Sequence, residues 1–192
     1  MAFELLTGPA YDVPVGASKM GGRPDLPPGE PWPTRDGRPL SFVVQVDLAT
    51  VDTAGVLPPD GLLSFFYDAV DQPGGYEEGD ESGTVVRWTL GGTPLERRDF
   101  PDDLNPFDGR FDAMRVAVAE VGEGVAATHR LLGTPDAIEE DLDDAGTLLF
   151  QIGTDDAGEM TWGDGGALYV FLPPDALARR EWGAARTVLQ SH

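Results

Sequence analysis

The sequence predicts a mainly β protein, β-rich α+β in class, with two internally duplicated halves packed in one globule and few short helices. Three observations carry this expectation. Short segments of β-forming residues recur along the chain. Glycine (25) and proline (17) punctuate it too densely for long helices. The order of motifs in the first half returns in the second. A length of 192 residues suits one domain over 1–192, with pseudo-repeat halves at about 18–90 and 129–192.

The elements follow in chain order. Met1 to Gly8 carries no basic stretch and no long apolar run, so no secretory signal is expected there. Gly21-Gly22 follows Lys19 without the spacing of a phosphate-binding loop, and reads as a turn that needs positive φ. The proline-rich segment Arg23 to Thr34 reads as an extended cover over a sheet, because Trp32 is too large to leave in water. Strands are predicted at Ser41–Asp47, Leu62–Tyr67, Thr84–Leu90, Met114–Val121, Thr147–Ile152 and Ala167–Leu172. Several are near-continuous apolar runs and should be buried on both faces, with Phe42, Val44, Phe66, Phe150, Ile152 and Phe171 in the core. The segment from Thr84 alternates less cleanly and suits an edge. Pro173-Pro174-Asp175 opens a helix predicted over 175–182, with Gly183 placed as its C-terminal cap. Thr187–Gln190 closes the chain as a strand.

The repeat is specific. Phe42-Val43-Val44-Gln45-Val46 matches Leu148-Leu149-Phe150-Gln151-Ile152, the two glutamines standing 106 residues apart. Gly61, leading one strand, matches Gly166, 105 residues on. Gly22-Arg23-Pro24-Asp25 matches Gly133-Thr134-Pro135-Asp136, 111 residues on. Three matches in the same order argue for duplication, with two similar halves sharing a core.

Charge and composition exclude several functions. There is no cysteine, which removes thiol nucleophiles, thiolate metal sites and redox motifs. The formal net charge is −21, and a field of that sign repels nucleic acid and anionic membranes. No apolar run approaches the ~18 residues that a membrane helix needs. The expectation is a soluble, cytoplasmic monomer with no cofactor, no nucleic-acid partner and no membrane partner.

Ser18-Lys19-Met20-Gly21-Gly22-Arg23-Pro24-Asp25-Leu26-Pro27, Trp32-Pro33 and Pro39 to Leu48 resemble the YwqG-like family of bacterial proteins. The second half agrees in His129 to Pro135, Leu149-Phe150-Gln151-Ile152, Met160 to Gly166 and Leu168-Tyr169-Val170-Phe171. The resemblance spans nearly the whole chain. It implies a single YwqG-like domain and a mainly β, roll-like fold. It carries over no catalytic residue.

His129 stands alone before Leu131-Leu132 and reads as a structural histidine. Asp155, Asp156, Glu159 and Asp164 form a dense acidic loop, a weak Ca²⁺ candidate whose ordinary alternative is a hairpin with aspartates capping turn amides. Gln45 and Gln151 sit in apolar strands, where a buried amide must find partners. Each is expected to pin a neighbouring backbone segment; the alternative is that both line a cleft between the halves with Trp162 and Asp164. Between Leu131 and Ala178 there are 11 acids and no Lys or Arg. Within that stretch, Glu139, Glu140, Asp141, Asp143 and Asp144 form the candidate landing surface for a basic protein. The functional expectation is a non-catalytic protein-binding module with an acidic face, as in proteins that neutralise a basic toxin or nuclease. The alternative is an enzyme acting on a small molecule or carbohydrate with carboxylates in the cleft.

Overall fold

The computed structural model describes residues 1–10, 12–122, 124–139, 142 and 145–192. Among them, ten strands form one antiparallel sheet. Numbered in chain order, the first five are β1 (Ala2–Pro9), β2 (Lys19–Met20), β3 (Ser41–Asp47), β4 (Leu62–Tyr67) and β5 (Thr84–Thr89). The second five are β6 (Met114–Val121), β7 (His129–Leu131), β8 (Thr147–Gly153), β9 (Ala167–Leu172) and β10 (Arg186–Gln190). Their order across the sheet is β10-β9-β8-β7-β1-β6-β2-β3-β4-β5. The protein is mainly β, and the sheet curls toward a barrel.

The order shows how the halves are joined. Each half runs as a first strand followed by four that pair in sequence. The first strand of each half pairs with the other half: β1 lies against β7, and β6 lies against β2. The two first strands then pair with each other over eight residues, from Ala2 opposite Val121 to Pro9 opposite Met114. Neither half therefore has a complete sheet of its own. In strand pairing the repeat extends beyond the sequence motifs to β1 and β6, since Phe3 opposite Leu131 corresponds to Met114 opposite Met20.

The apolar runs are buried on both faces as their composition requires. Every residue of β4 and β9 is buried. On β3 the pleat sends Val44 and Val46 into the central core and Phe42 to the opposite face; on β8, Phe150 and Ile152 face the core and Leu148 lies opposite. Both strands carry an irregularity at the same place, between Phe42 and Val44 and between Leu148 and Phe150. The extra residues, Val43 and Leu149, join the central core. Phe65 and Phe150 stack with centroids 6.1 Å apart and tie the halves together. On the outer faces, Leu26, Leu40, Phe42 and Phe66 make one satellite cluster, and Leu142, Ala145, Leu148, Tyr169 and Phe171 belong to the other. The proline-rich segment covers the first: the Trp32 ring meets Phe66 edge-on at 5.8 Å, and its Nε1–H donates to Leu40 O at 2.8 Å. The second cover is five residues shorter, which changes the repeat offset from 111 to 106.

β5 and β10 are the sheet's terminal strands, and they meet. Thr84 Oγ1 donates to Thr187 Oγ1 at 2.8 Å, and Leu189 N–H donates to Gly74 O at 3.1 Å. Gly75 sits at this seam with φ +85°, and a Cβ there would collide with Thr187 O. Gly75→Ala is expected to cost about 2 kcal/mol or more, through backbone strain and loss of the close approach. Urea denaturation measures it, and an unchanged midpoint would mean that the seam is not held at this point.

The helix is shorter than the sequence predicts. It spans Pro174–Arg179, and Arg180 ends it in the left-handed conformation, its N–H reaching Ala176 O and Leu177 O. Gly183 is not the cap; it lies in a separate turn, Trp182–Ala184. The Arg180 guanidinium stacks on Trp88, 5.2 Å from the ring centroid, and Trp182 packs partly into the core. These contacts outweigh continuation of the helix to the glycine. Among the described residues no helix is long and apolar enough to cross a membrane.

Candidate functional site

The most organised polar chemistry lies in two equivalent clusters, one per half. Each combines a cation from the second strand, the aspartate of the Gly-x-Pro-Asp motif and the glutamine of the third or eighth strand. The local fold brings them together. Lys19 lies opposite Gln45 in the β2–β3 pair, and Arg130 lies opposite Gln151 in the β7–β8 pair. A left-handed pair of residues then turns the chain across the strand: Gly21 (φ 62°) and Gly22 (φ 67°) in one half, Leu132 (φ 58°) and Gly133 (φ 90°) in the other. Gly21 N–H bonds Val43 O at 2.8 Å, and Leu132 N–H bonds Leu149 O at 3.1 Å.

In the first half Gln45 is fully buried. Its Oε1 accepts from Asp25 N–H at 3.0 Å, and its Nε2 donates to Ala17 O and Asp25 Oδ2, each at 2.8 Å. Asp25 is also fully buried, and its carboxylate further accepts from Gly16 N–H and Arg97 Nε, each at 2.9 Å. Lys19 Nζ stands 2.9 Å from the same carboxylate. In the second half Gln151 Oε1 accepts from Asp136 N–H and its Nε2 donates to Ala127 O, each at 2.8 Å. Asp136 accepts from Arg130 Nη2 at 2.7 Å and from Ala127 N–H at 2.9 Å. Both glutamines pin loops to the sheet.

Electrostatics separate the two clusters. Burial pushes the Asp25 carboxyl up, but bonds from Arg97, Gly16 and Lys19 outweigh it and hold the group below the ordinary aspartate value. Burial brings Lys19 down to about 8 against the pull of Asp25. Both groups are lowered, and both remain ionised at pH 7. Asp136 is held low as well, by Ala127 N–H and Arg130 acting against burial. Its side chain is 36% exposed, where that of Asp25 is 0% exposed. Arg97, from the short ladder pairing Asp25–Leu26 with Glu96–Arg97, belongs to the first cluster only.

His129 is buried, and its Nε2 lies 3.0 Å from Asp155 Oδ2. Burial holds it below the ordinary histidine value, the bond to Asp155 notwithstanding. It is therefore neutral at pH 7, with the proton on Nε2 because a carboxylate only accepts there. Asp155 also accepts from Ala157 N–H at 2.8 Å, Gly158 N–H at 3.2 Å and Thr7 Oγ1 at 3.3 Å, so it caps the turn after β8. Against burial, the bonds from His129 and the turn amides set its carboxyl low.

These shifts give a pH profile. The unfolded chain protonates His129 near 6.5 and the folded chain does so lower, so stability falls as pH drops below about 6.5. Asp25, Asp136 and Asp155 contribute fully above 3.8 and lose that contribution as pH falls through their lower folded values. Denaturation midpoints measured from pH 8 to 3 should fall in two stages, and His129→Gln should remove the first.

The residues read from the sequence as a cleft are not brought together as one. Gln45 and Gln151 share no hydrogen-bond partner and serve separate loops. Trp162 is fully buried in the core, edge-on to Tyr67 and Phe111, with Nε1–H donating to Gly153 O at 3.2 Å. Asp164 is exposed. Of the Ca²⁺ candidates, Asp155 is turned to His129 and the turn amides, while Asp156, Glu159 and Asp164 face solvent. Among the described residues no group of three or more His, Cys, Asp or Glu is gathered for a metal ion. Of the candidate partner surface, Glu139 is exposed, its N–H donating to Gln190 Oε1 at 3.1 Å. Glu140, Asp141, Asp143 and Asp144 lie outside the described residues. Sequence reasoning missed Lys19, Asp25 and Arg97. The signals were there for two of them: Lys19 is the single lysine of the chain, and Asp25 closes the repeated Gly-x-Pro-Asp.

No curated protein matches the chain. Residues 18–190 match the model of a family described as a domain of unknown function, DUF1963, which spans β2 to β10, so the chain belongs to that family.

Proposed function

We propose that this chain is a non-catalytic protein-binding module whose acidic loops hold a basic protein, in the manner of proteins that neutralise a basic toxin or nuclease. We also place it among the YwqG-like proteins, on the motifs from Ser18 to Leu48 and from His129 to Phe171. One observation supports the reading above the rest: the acids fall into two sets. Asp25, Asp136 and Asp155 are consumed inside the fold. Glu139, Asp156, Glu159 and Asp164 are exposed on loops of the second half and make no ion pair among the described residues. Uncompensated like charges repel one another, and a cationic surface relieves that repulsion and is steered toward it.

The test is capture of a partner from the native host at low salt. A basic protein released by ~0.5 M salt supports the reading. So does loss of that protein when Glu139→Gln, Glu140→Gln, Asp141→Asn, Asp143→Asn and Asp144→Asn are combined in a variant that still folds. Full biological activity of that variant would overturn it.

A further inference from the structure

We propose, on the reading of the chain as a module for a basic partner, that Phe107 anchors that interface: its ring enters an apolar pocket on the partner. Phe107 is 90% exposed, the most exposed large apolar side chain among the described residues. It stands near the tip of loop 101–110, between β5 and β6 and outside both pseudo-repeat halves.

The loop is built to hold the ring out. Leu104 is buried at its base. Arg110 ties that base together: its Nε and Nη2 donate to Leu104 O at 3.1 and 2.9 Å, its Nη2 donates also to Pro101 O at 3.2 Å, and its guanidinium stacks on Phe100. At the tip, Asn105 Oδ1 accepts from Phe107 N–H at 2.9 Å and from Asp108 N–H at 3.3 Å, while Asn105 Nδ2 donates to Asp108 Oδ2 at 2.8 Å. Pro106 restricts the backbone between them. A ring on a loose tip folds back onto nearby apolar surface, whereas this one is kept in water, which is unfavourable. A partner's pocket removes it from water, and the fixed loop leaves little conformational entropy to lose on binding. The surroundings set the partner's charge. Asp102, Asp103 and Asp108 are exposed on the same loop and Asp112 just beyond it, and none makes an ion pair among the described residues. Asp112 N–H donates to Gly158 O at 3.0 Å, which sets the end of the loop beside the acidic turn carrying Asp156 and Glu159. An apolar pocket rimmed by Lys or Arg complements the ring and its acidic collar. A second copy of this chain, at net charge −21, does not.

The photo-reactive residue p-benzoylphenylalanine is placed at position 107 of the full chain and, as a control, at position 90, where Leu90 is 60% exposed outside this loop. Both proteins are irradiated in extract of the native host at low salt. The expected result is one basic protein joined at 107 and not at 90, displaced by the unmodified parent and not by Phe107→Ala. With that protein purified, Phe107→Ala should weaken binding about 30-fold and leave the salt dependence of the affinity unchanged. The variant alone should melt within about 2 °C of the parent, since the ring holds nothing in the fold. No adduct specific to 107, an adduct to a second copy or to an acidic protein, or a joined partner that Phe107→Ala binds as tightly as the parent would each overturn the proposal. A basic partner anchored at 107 just as tightly when Glu139, Glu140, Asp141, Asp143 and Asp144 are all neutralised would support the anchor and remove the acidic loop from the interface.

Discussion

Asp25→Ala is expected to destabilise the protein by about 3–5 kcal/mol, the range for removing one partner from a buried charged pair. The loss has several parts. Lys19 loses its counter-ion while remaining buried. Arg97 loses the acceptor for its Nε, Gly16 N–H is left unmatched, and Gln45 Nε2 retains only Ala17 O. The segment around Gly16 and Ala17 is then no longer held to the sheet. Asp136→Ala is the internal control. Its position in the second half is equivalent, but its side chain is already 36% exposed to water and its carboxylate holds fewer groups, Arg130 Nη2 and Ala127 N–H. A loss of about 1–2 kcal/mol is expected there. Denaturant unfolding of the two variants measures both values, and equal losses would contradict the asymmetry between the clusters.

Trp162→Ala is expected to cost a similar amount, about 3–5 kcal/mol, by a different route. The ring is fully buried, 5.9 Å from Tyr67 and 5.5 Å from Phe111 between centroids. Truncation leaves a cavity in the central core and strands Gly153 O without its donor. Phe111 and Tyr67 come from the first part of the chain and Trp162 from the second half, so the cavity opens where the halves meet. Trp162→Phe keeps most of the volume and loses only the hydrogen bond, so it should cost about half as much. A Trp162→Ala variant as stable as the parent would return this residue to the surface role that a shared cleft had assigned it.

The sequence was legible wherever burial is continuous along a strand. Ser41–Asp47 and Leu62–Tyr67 are apolar without alternation because both faces are covered, one by the core and one by an outer segment. β1 was missed because only Phe3 and Leu5 of its interior side are large, while Glu4 and Thr7 read as loop. β7 is three residues long and carries His129 and Arg130, which local propensity does not place in a strand. The exchange of first strands between halves leaves no local trace at all, since it depends on which edge is free when the sheet assembles. The glutamines were recognisable as buried amides, but their partners are backbone groups of loops remote in sequence, at Ala17, Asp25, Ala127 and Asp136. Arg97 reaches Asp25 from 72 residues away, and nothing in the spacing announces it.

One set of acids is held inside the fold and another is exposed on loops, and thermal unfolding of two variants tests that division directly. In one, Glu139, Asp156, Glu159 and Asp164 are replaced together by their amides; in the other, Asp25→Asn is made alone. The first should melt within about 2 °C of the parent or above it, because it removes exposed mutual repulsion and no buried contact. The second should melt on the order of 10 °C lower. A quadruple variant that melts as low as Asp25→Asn would contradict the division, because it would make the exposed acids part of what holds the fold.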